Sequence, residues 1–304
     1  MKKRTVISTV VAGILLCSSG LYANNNFEAQ KNDIKRLKNV VNKEAVSAKE
    51  SLKKSPKEVV EGMKQTIVAI KALQNRDAKT AKEALQKASK LFDTAIKNDP
   101  KLALVPVANS IEVHDFTGDS KLVKETIKTA QDLLDDYETQ AARALLMPLK
   151  DDMIITTQYL PMGIYPLATK DALKQLNDGK EKEAFSTLVT ALHEVVVQFV
   201  VIPLPLITAQ SLVIEASKLD KKEKTEALKL LDAAQDELEK AVLLGYTKKH
   251  APEYTTLKKE IKNIQKEIKG KNIVEKLYEK IKKDFASLLS SHESESTTKK
   301  QDAK

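Results

Sequence analysis

Several residue types that build common functional sites are scarce in this sequence. Its 304 residues include one Cys and no Trp, and a single Cys excludes disulfide scaffolds, cysteine-based zinc sites and iron–sulfur clusters. Phe and Tyr together make up 4%, which argues against exposed ring platforms for bases or sugars. Eight Gly and nine Pro argue against collagen-like and all-β chains. The hydrophobic fraction of 42% is nevertheless sufficient for a core.

Arginine is also scarce, although the chain is basic. Lys and Arg number 51 against 42 Asp and Glu, a net charge of +9. The only arginines are Arg4, Arg36, Arg76 and Arg143. Because nucleic-acid sites favour the bidentate guanidinium group, we interpret the lysines as a solvated surface and expect no nucleic-acid partner.

Residues 1–23 have the pattern of a cleaved secretory signal peptide. Three cations precede an apolar run from Val6 to Cys17, and Ala23 ends an imperfect cleavage site. The run is too short for a membrane span. Cleavage would leave a periplasmic chain that starts at Asn24 and has no Cys, as suits an oxidising compartment. An acylated Cys17 and an uncleaved anchor are the alternatives.

Apolar residues recur at helical spacing through most of the remaining chain, which predicts a mainly all-α fold, a helical bundle. Capping boxes at Ser55–Glu58 and Asp220–Glu223 mark two helix starts, and Thr169 is a candidate cap. The predicted helices cover about residues 32–52, 56–73, 77–97, 122–145, 169–177, 180–197, 220–244, 253–269 and 272–289. Three segments are predicted as extended chain or short edge strands: Leu104–Val107, Met153–Leu160 and Val200–Leu206.

An internal repeat indicates duplication of helical hairpins. Residues 69–88 align with residues 172–191, and farther on Val105-Pro106-Val107 aligns with Ile202-Pro203-Leu204. Duplication predicts a hairpin, an extended stretch and a long helix in each half, the long helices being Leu122–Leu145 and Lys221–Leu244. Chance similarity of amphipathic helices is the alternative. A tetratricopeptide solenoid is a second fold, but its period of about 34 residues is much shorter than the spacing seen here.

These signals divide the chain into five segments. They are a signal peptide (1–23), an N-terminal helix (24–55), a duplicated helical core (56–250), a C-terminal helical hairpin (251–289) and a polar tail (290–304) predicted to be disordered. Leu257, Ile261 and Ile264 form a narrow apolar seam of the coiled-coil kind. We therefore expect the C-terminal hairpin to pack on protein, with weak anionic-lipid contact through its lysines as the lesser reading.

Residues from about 59 to 245 resemble the YfdX family of exported bacterial proteins. The resemblance is carried by DDMIITTQY (151–159), by LNDGKEKEAFSTL (176–188), by VIPLPL (201–206) and by ASKLDKKEKTEALKLLDAAQDEL (216–238). It implies a mainly helical periplasmic protein associated with stress tolerance, including acid stress. It supplies no catalytic residues.

Six residues are candidates for ligand contacts: His114, Asp151, Asp152, Gln158, Tyr159 and Tyr165. His114 lies among carboxylates in IEVHDF and suits a pH-sensing role. The Asp pair suits a cation or a base, and the tyrosines suit a ligand-facing patch. The structural alternatives are a satisfied loop histidine, a solvated turn and core tyrosines with hydrogen-bonded hydroxyls.

Recognisable catalytic motifs are missing from the sequence. It has no Gly-rich phosphate loop and no Gly-x-Ser-x-Gly elbow, and His193-Glu194 lacks the second His of a zinc protease motif. We therefore expect a non-enzyme without cofactor or metal, which binds protein partners, unfolded clients or a second copy through helix faces. The alternative is a small-ligand-binding or enzymatic domain with a pocket gathering His114, Asp152 and Tyr159.

Overall fold

The computed structural model describes residues 54–220, 222–269, 274–294 and 297–299, with residues 42, 46, 50 and 52. The helices are α1 (Lys57–Gln74), α2 (Ala78–Asn98), α3 (Ser120–Asp135), α4 (Thr139–Leu146), α5 (Tyr165–Asn177), α6 (Glu181–His193), α7 (Leu204–Ala216), α8 (Lys224–Leu243), α9 (Pro252–Lys269) and α10 (Glu275–Ser294). The strands are β1 (Leu104–His114), β2 (Asp152–Pro161), β3 (Val196–Pro203) and β4 (Thr297–Lys299). The prediction of a mainly helical fold is confirmed.

Two predicted N-terminal segments fall largely beyond this description. The predicted signal peptide, residues 1–23, lies outside the described residues, as does most of the predicted N-terminal helix, residues 24–55. The four isolated residues described before residue 54 are helical. No helix within the described ranges is long and apolar enough to cross a membrane.

The predicted extended segments form a sheet of order β1-β2-β3-β4. β3 pairs antiparallel with β4, with Val197 opposite Lys299. The prediction of edge strands is wrong for β2 and β3, which have neighbours on both sides. The last prediction is also too long, because α7 begins at Leu204. Pro205 lies in the first turn of that helix, where a missing N–H leaves no hydrogen bond unmade.

Helix starts differ from the predicted caps in two places and agree in part at a third. The Ser55 hydroxyl donates to the Pro106 carbonyl at 2.6 Å instead of capping α1. α5 begins at Tyr165, so Thr169 lies inside the helix and its hydroxyl donates back to the Tyr165 carbonyl. At the second box Glu223 does accept from the Asp220 backbone N–H at 2.9 Å, and α8 follows.

Two compact units can be distinguished, and their boundaries fall within the strands. The hairpin unit contains Glu44–Ser110 and Thr156–Phe199, and the C-terminal unit contains Ile111–Ile155 and Val200–Ser296. This division differs from the predicted segments, which put a boundary after residue 250. The reason is that α9 and α10 share one apolar core with α7 and α8.

The duplicated hairpins pack against each other in the hairpin unit. α1 pairs with α2 and α5 with α6, while α2 contacts α5 and α1 contacts α6. Their shared core brings together equivalent positions of the repeat: Ala69 with Ala172, Ala81 with Ala184, and Leu85 with Leu188. Small alanines allow the helices to approach closely. The residues that recur in the repeat are therefore also the residues of its core.

The two turns of these hairpins share one backbone geometry. Arg76 and Gly179, equivalent in the repeat, have φ of 59° and 75°. The Asp77 N–H donates to the Ala72 carbonyl at 2.9 Å, and the Lys180 N–H donates to the Gln175 carbonyl at 2.8 Å. Such bonds across a left-handed residue close a helix C-terminus. The two hairpins thus share one turn geometry and one core, as duplication requires, and duplication itself stays a prediction.

The predicted equivalence of the two long helices is wrong. Residues 122–145 form two helices, because Tyr137 is left-handed with φ 61° and the Glu138 N–H donates to the Leu133 carbonyl at 2.8 Å. The predicted partner α8 is unbroken. Leu134 is 45% exposed whereas Leu231 is fully buried. The later part of the alignment is therefore chance similarity of amphipathic helices, although Pro106 and Pro203 both lie in strands.

α3 and α4 form a further hairpin with the same kind of turn. In all three hairpins the alanine five residues after the left-handed residue is buried: Ala81, Ala142 and Ala184. α3 also packs against α8. The rest of this hairpin buries little, and its tip leaves large apolar side chains in solvent.

The C-terminal unit has the larger core, drawn from α7, α8, α9 and α10. Its buried residues include Leu206, Val213, Leu231, Leu238, Leu257, Ile261, Ile264, Ile281 and Phe285. The predicted seam on α9 is confirmed as a protein-packing face. α10 runs to Ser294, past the predicted end near Leu289, and β4 covers Thr297–Lys299. The remainder of the predicted tail lies outside the described residues.

Candidate functional site

A buried ionic cluster lies in the C-terminal unit, at the junction of β1, β2 and α8. Lys240 is its centre and is 6% exposed. Its ammonium lies 2.9 Å from Asp151 Oδ2 and 2.9 Å from Glu237 Oε1. Asp151 is 4% exposed, and Glu237 Oε2 is buried with no hydrogen-bond partner among the described residues. Two carboxylates thus share one buried cation.

Asp152 organises the other half of the cluster. The Tyr246 hydroxyl donates to Asp152 Oδ2 at 2.9 Å and accepts from the Asp151 backbone N–H at 2.9 Å. His114 Nδ1 lies 2.7 Å from Asp152 Oδ1, and His114 Nε2 lies 2.9 Å from Glu112 Oε1. Carboxylates only accept, so both contacts are hydrogen bonds only when both ring nitrogens carry protons. The geometry therefore suits a positively charged His114.

Strand geometry explains why the adjacent aspartates take different partners. Side chains alternate between the two faces of a strand, and Asp152 is the first residue of β2. Asp151 consequently reaches Lys240 while Asp152 reaches His114, the last residue of β1. The Leu204 N–H donates to the Asp151 carbonyl at 3.0 Å and ties this corner to α7. On α8, Glu237 and Lys240 are three residues apart and share a face.

Burial controls the protonation of the cluster. It raises the pKa of Glu237 to about 7, with Lys240 opposing the shift and Asp151 adding to it. Burial also raises the pKa of Asp151 against the pull of Lys240. Burial alone would lower the pKa of Lys240, but Glu237 and Asp151 outweigh it and hold that pKa above its usual range. Lys240 is therefore held in its charged form, and both carboxylates that share it, Asp151 and Glu237, have raised pKa values.

Three of the six predicted site residues meet in this cluster: His114, Asp151 and Asp152. Tyr159 belongs to the hairpin unit, as do Gln158 and Tyr165. Gln158 is exposed and Tyr159 is partly buried. Tyr165 is a core residue, as in the structural alternative, and it meets Phe92 edge to face. The hydrogen-bonded hydroxyl of that alternative is wrong, because the buried Tyr165 hydroxyl has no hydrogen-bond partner among the described residues. Burial raises the pKa of Tyr165 to about 12.

Sequence reasoning missed Glu237, Lys240 and Tyr246. A Glu and a Lys three residues apart on a helix look like an ordinary surface pair, and α8 carries such a pair in Glu226 and Lys229, both more than half exposed. Nothing local separates the two pairs. The pair of Glu237 and Lys240 is buried beside Asp151, a residue distant in sequence. Within the described ranges, no three His, Cys, Asp or Glu side chains are grouped so as to hold a metal ion.

Comparison with known proteins gives a family for part of the chain. Residues 62–201 match the sequence model of the YfdX protein family. The match includes DDMIITTQY and LNDGKEKEAFSTL, whereas the segment 216–238 lies beyond it. A solved crystal structure of YfdX from Salmonella Typhi is similar, with a TM-score of 0.34 and 18% identity over 49% of this chain and 93% of that chain. No curated protein matches the chain.

Proposed function

We propose that this chain, whose residues 62–201 match the YfdX family, is an exported helical protein that acts in the periplasm under acid or envelope stress by binding polypeptides. The observation that carries the proposal is the buried ionic cluster, which favours proton uptake in the folded state. The export signal suggested by residues 1–23 supports the location. The proposal includes no catalytic step, and it assigns Lys240, Tyr246 and His114 to holding the cluster carboxylates.

The cluster supports an acid-related role through the sign of its linkage. Glu237 has a pKa of about 7 in the folded protein and an ordinary value of 4.5. Between these values the folded protein holds a proton that the unfolded chain has lost, so stability rises as the pH falls through this window. The gain is about 1.4 kcal/mol per pH unit. The raised pKa of Asp151 acts in the same direction.

The α3–α4 hairpin is the proposed polypeptide-binding surface. Leu134 and Tyr137 are exposed at its turn, where Tyr137 is 91% exposed, and Leu146 and Met147 are exposed at the other end of α4. Exposed apolar side chains that lie close together mark interaction sites. Acid-unfolded chains expose apolar residues, so the apolar side chains of this hairpin match such clients.

An aggregation assay tests the binding role. The purified protein should delay aggregation of an acid-unfolded client on return to neutral pH. Tyr137→Ser with Met147→Ser should abolish most of this delay. The matched control is Val68→Ser with Leu167→Ser, which removes two exposed apolar side chains of the hairpin unit and should leave the delay unchanged. No delay by the unaltered protein would refute the proposal, and an equal loss in both variants would refute this surface.

A further inference from the structure

A basic groove lies at the start of α9 in the C-terminal unit. It has a volume of about 470 Å³ and is lined by Lys249, His250, Tyr254, Thr255, Lys258, Lys259, Lys262 and Asn263. Each of these side chains carries at least one hydrogen-bond donor, and none is acidic. The groove is therefore built to face hydrogen-bond acceptors with negative charge.

Charges of opposite sign are separated around α9. Glu260 points away from the groove and forms an ion pair with Lys280 of α10. Lys249, Lys259 and Lys262 are exposed and form no ion pair among the described residues. Lys258 lies over the Tyr254 ring, 5.5 Å from its centroid, and donates to the Tyr254 hydroxyl at 3.2 Å. Glu260 is thus paired on the other side of α9, and Glu253, exposed in the first turn, is the acidic residue left near the groove.

The donors form a line. Thr255, Lys259 and Lys262 recur at the spacing of one helix face, and at 1.5 Å per residue they span about 10 Å. The Thr255 hydroxyl donates to the Pro252 carbonyl at 2.9 Å, so the lysines are the donors left for a ligand. The line ends where α9 begins, and there the free N–H groups of the first turn add positive potential that Glu253 opposes. An extended ligand with several anionic groups matches this length better than one compact anion.

We infer that this groove binds a soluble chain of phosphate groups. Ammonium groups bind phosphate as point charges without demanding a planar partner, which fits a groove rich in Lys and without Arg. A membrane surface fits less well, because the apolar side chains of α9, such as Leu257 and Ile261, are buried in the core and none remains to insert into lipid. A single-stranded nucleic acid fits less well, because it is bound on exposed rings and Tyr254 is buried, and base recognition in a duplex favours the Arg that this groove lacks.

Binding of short linear inorganic polyphosphate to the full chain, measured by calorimetry, tests the inference. Binding should be saturable and should weaken about tenfold or more between 50 and 200 mM salt, as expected for contact with about three phosphates. Lys259→Gln with Lys262→Gln should weaken it at least about fivefold. The matched control, Lys82→Gln with Lys87→Gln on α2, removes the same charge from exposed positions and should change affinity less than twofold.

Three results would overturn the inference. They are no saturable binding, equal weakening in both variants, and retention on phosphatidylglycerol vesicles that the groove variant loses while polyphosphate binding is unchanged. The substituted lysines are exposed, so both variants should keep the helical circular dichroism and melting temperature of the parent. These measurements do not depend on client binding, because the groove and the α3–α4 hairpin share no residue.

Discussion

The hairpin unit and the C-terminal unit bury their interiors with different chemistry. The hairpin unit fills its core with repeated small and branched apolar side chains, such as Ala81, Ala184, Leu85 and Leu188. The C-terminal unit has an apolar core too, but it also buries Asp151 and Lys240. Apolar burial is insensitive to protonation, whereas a buried carboxylate cluster is not. We therefore expect the pH dependence of stability to come from the C-terminal unit.

The largest expected loss of stability comes from a change in the buried ionic cluster of the C-terminal unit. Lys240→Met leaves Asp151 and Glu237 without their shared cation, and removing one partner of a buried pair costs about 3–5 kcal/mol. The loss should be greatest at pH 8 and smaller at pH 5, where Glu237 is protonated. Chemical unfolding at both pH values measures it. Lys229→Met, in the exposed pair on the same helix, should change stability by less than about 0.5 kcal/mol; a similar loss there would contradict the role of burial.

Core truncation in the hairpin unit should give a loss that does not depend on pH. Leu85→Ala and Leu188→Ala each delete a fully buried leucine from equivalent positions of the repeat. Each should cost about 3 kcal/mol, from lost burial and the cavity left behind. Urea titrations at pH 5 and pH 8 should give matching values for the two variants. Clearly unequal costs would show that the two hairpins do not bury these positions equivalently.

A milder change should reduce the pH dependence of stability, leaving the contribution of Asp151. Glu237→Gln mimics the protonated carboxyl, whose pKa in the folded protein is about 7. At pH 8 the variant should be more stable than the parent by up to about 3 kcal/mol, from about 1.4 kcal/mol per unit of pKa shift. At pH 5 the two should differ little. Melting temperatures across this range check the prediction, and parallel pH profiles would contradict it.

The smallest expected effect concerns the shared turn. Arg76 and Tyr137 adopt left-handed backbone at φ 59° and 61°, where the equivalent turn has Gly179. A side chain in this conformation costs roughly 1–2 kcal/mol. Gly179→Ala should therefore destabilise by about 1 kcal/mol, and Arg76→Gly should be neutral or slightly stabilising. Thermal melts of the pair decide this; a loss of stability in Arg76→Gly equal to that in Gly179→Ala would contradict it.

Local patterns predicted much of the fold, because apolar residues recur in every turn on the face that a helix buries. The spacing of Ala69, Ala81 and Leu85 located the α1–α2 core, and Leu257, Ile261 and Ile264 located the face of α9. The same reasoning failed at Tyr137, where a smooth apolar stripe concealed a break. A tyrosine is an unusual residue at a left-handed position, so no residue signalled the turn.

The candidate site was only half visible in the sequence. His114, Asp151 and Asp152 stood out as neighbouring titratable residues in segments that are not helical. Their partners Lys240 and Tyr246 come from α8 and the segment after it, and pairing across such separations leaves no periodic trace. The lysines of the α9 groove were visible in the sequence and were interpreted as a solvated face. The sequence did not show that Glu260 pairs with Lys280, because that ion pair depends on how α9 and α10 pack.

The sequence by itself determined the helical character of this protein, its repeated hairpins and the apolar faces they bury, because these depend on spacing within one or two helices. The tertiary structure alone decided which charges leave water. Lys229 and Lys240 lie on one helix in equivalent local pairs, yet only Lys240 is buried, where it pairs with Asp151. Desolvation depends on what covers a side chain and not on adjacent residues, so protonation chemistry emerges only when the strands and α8 meet.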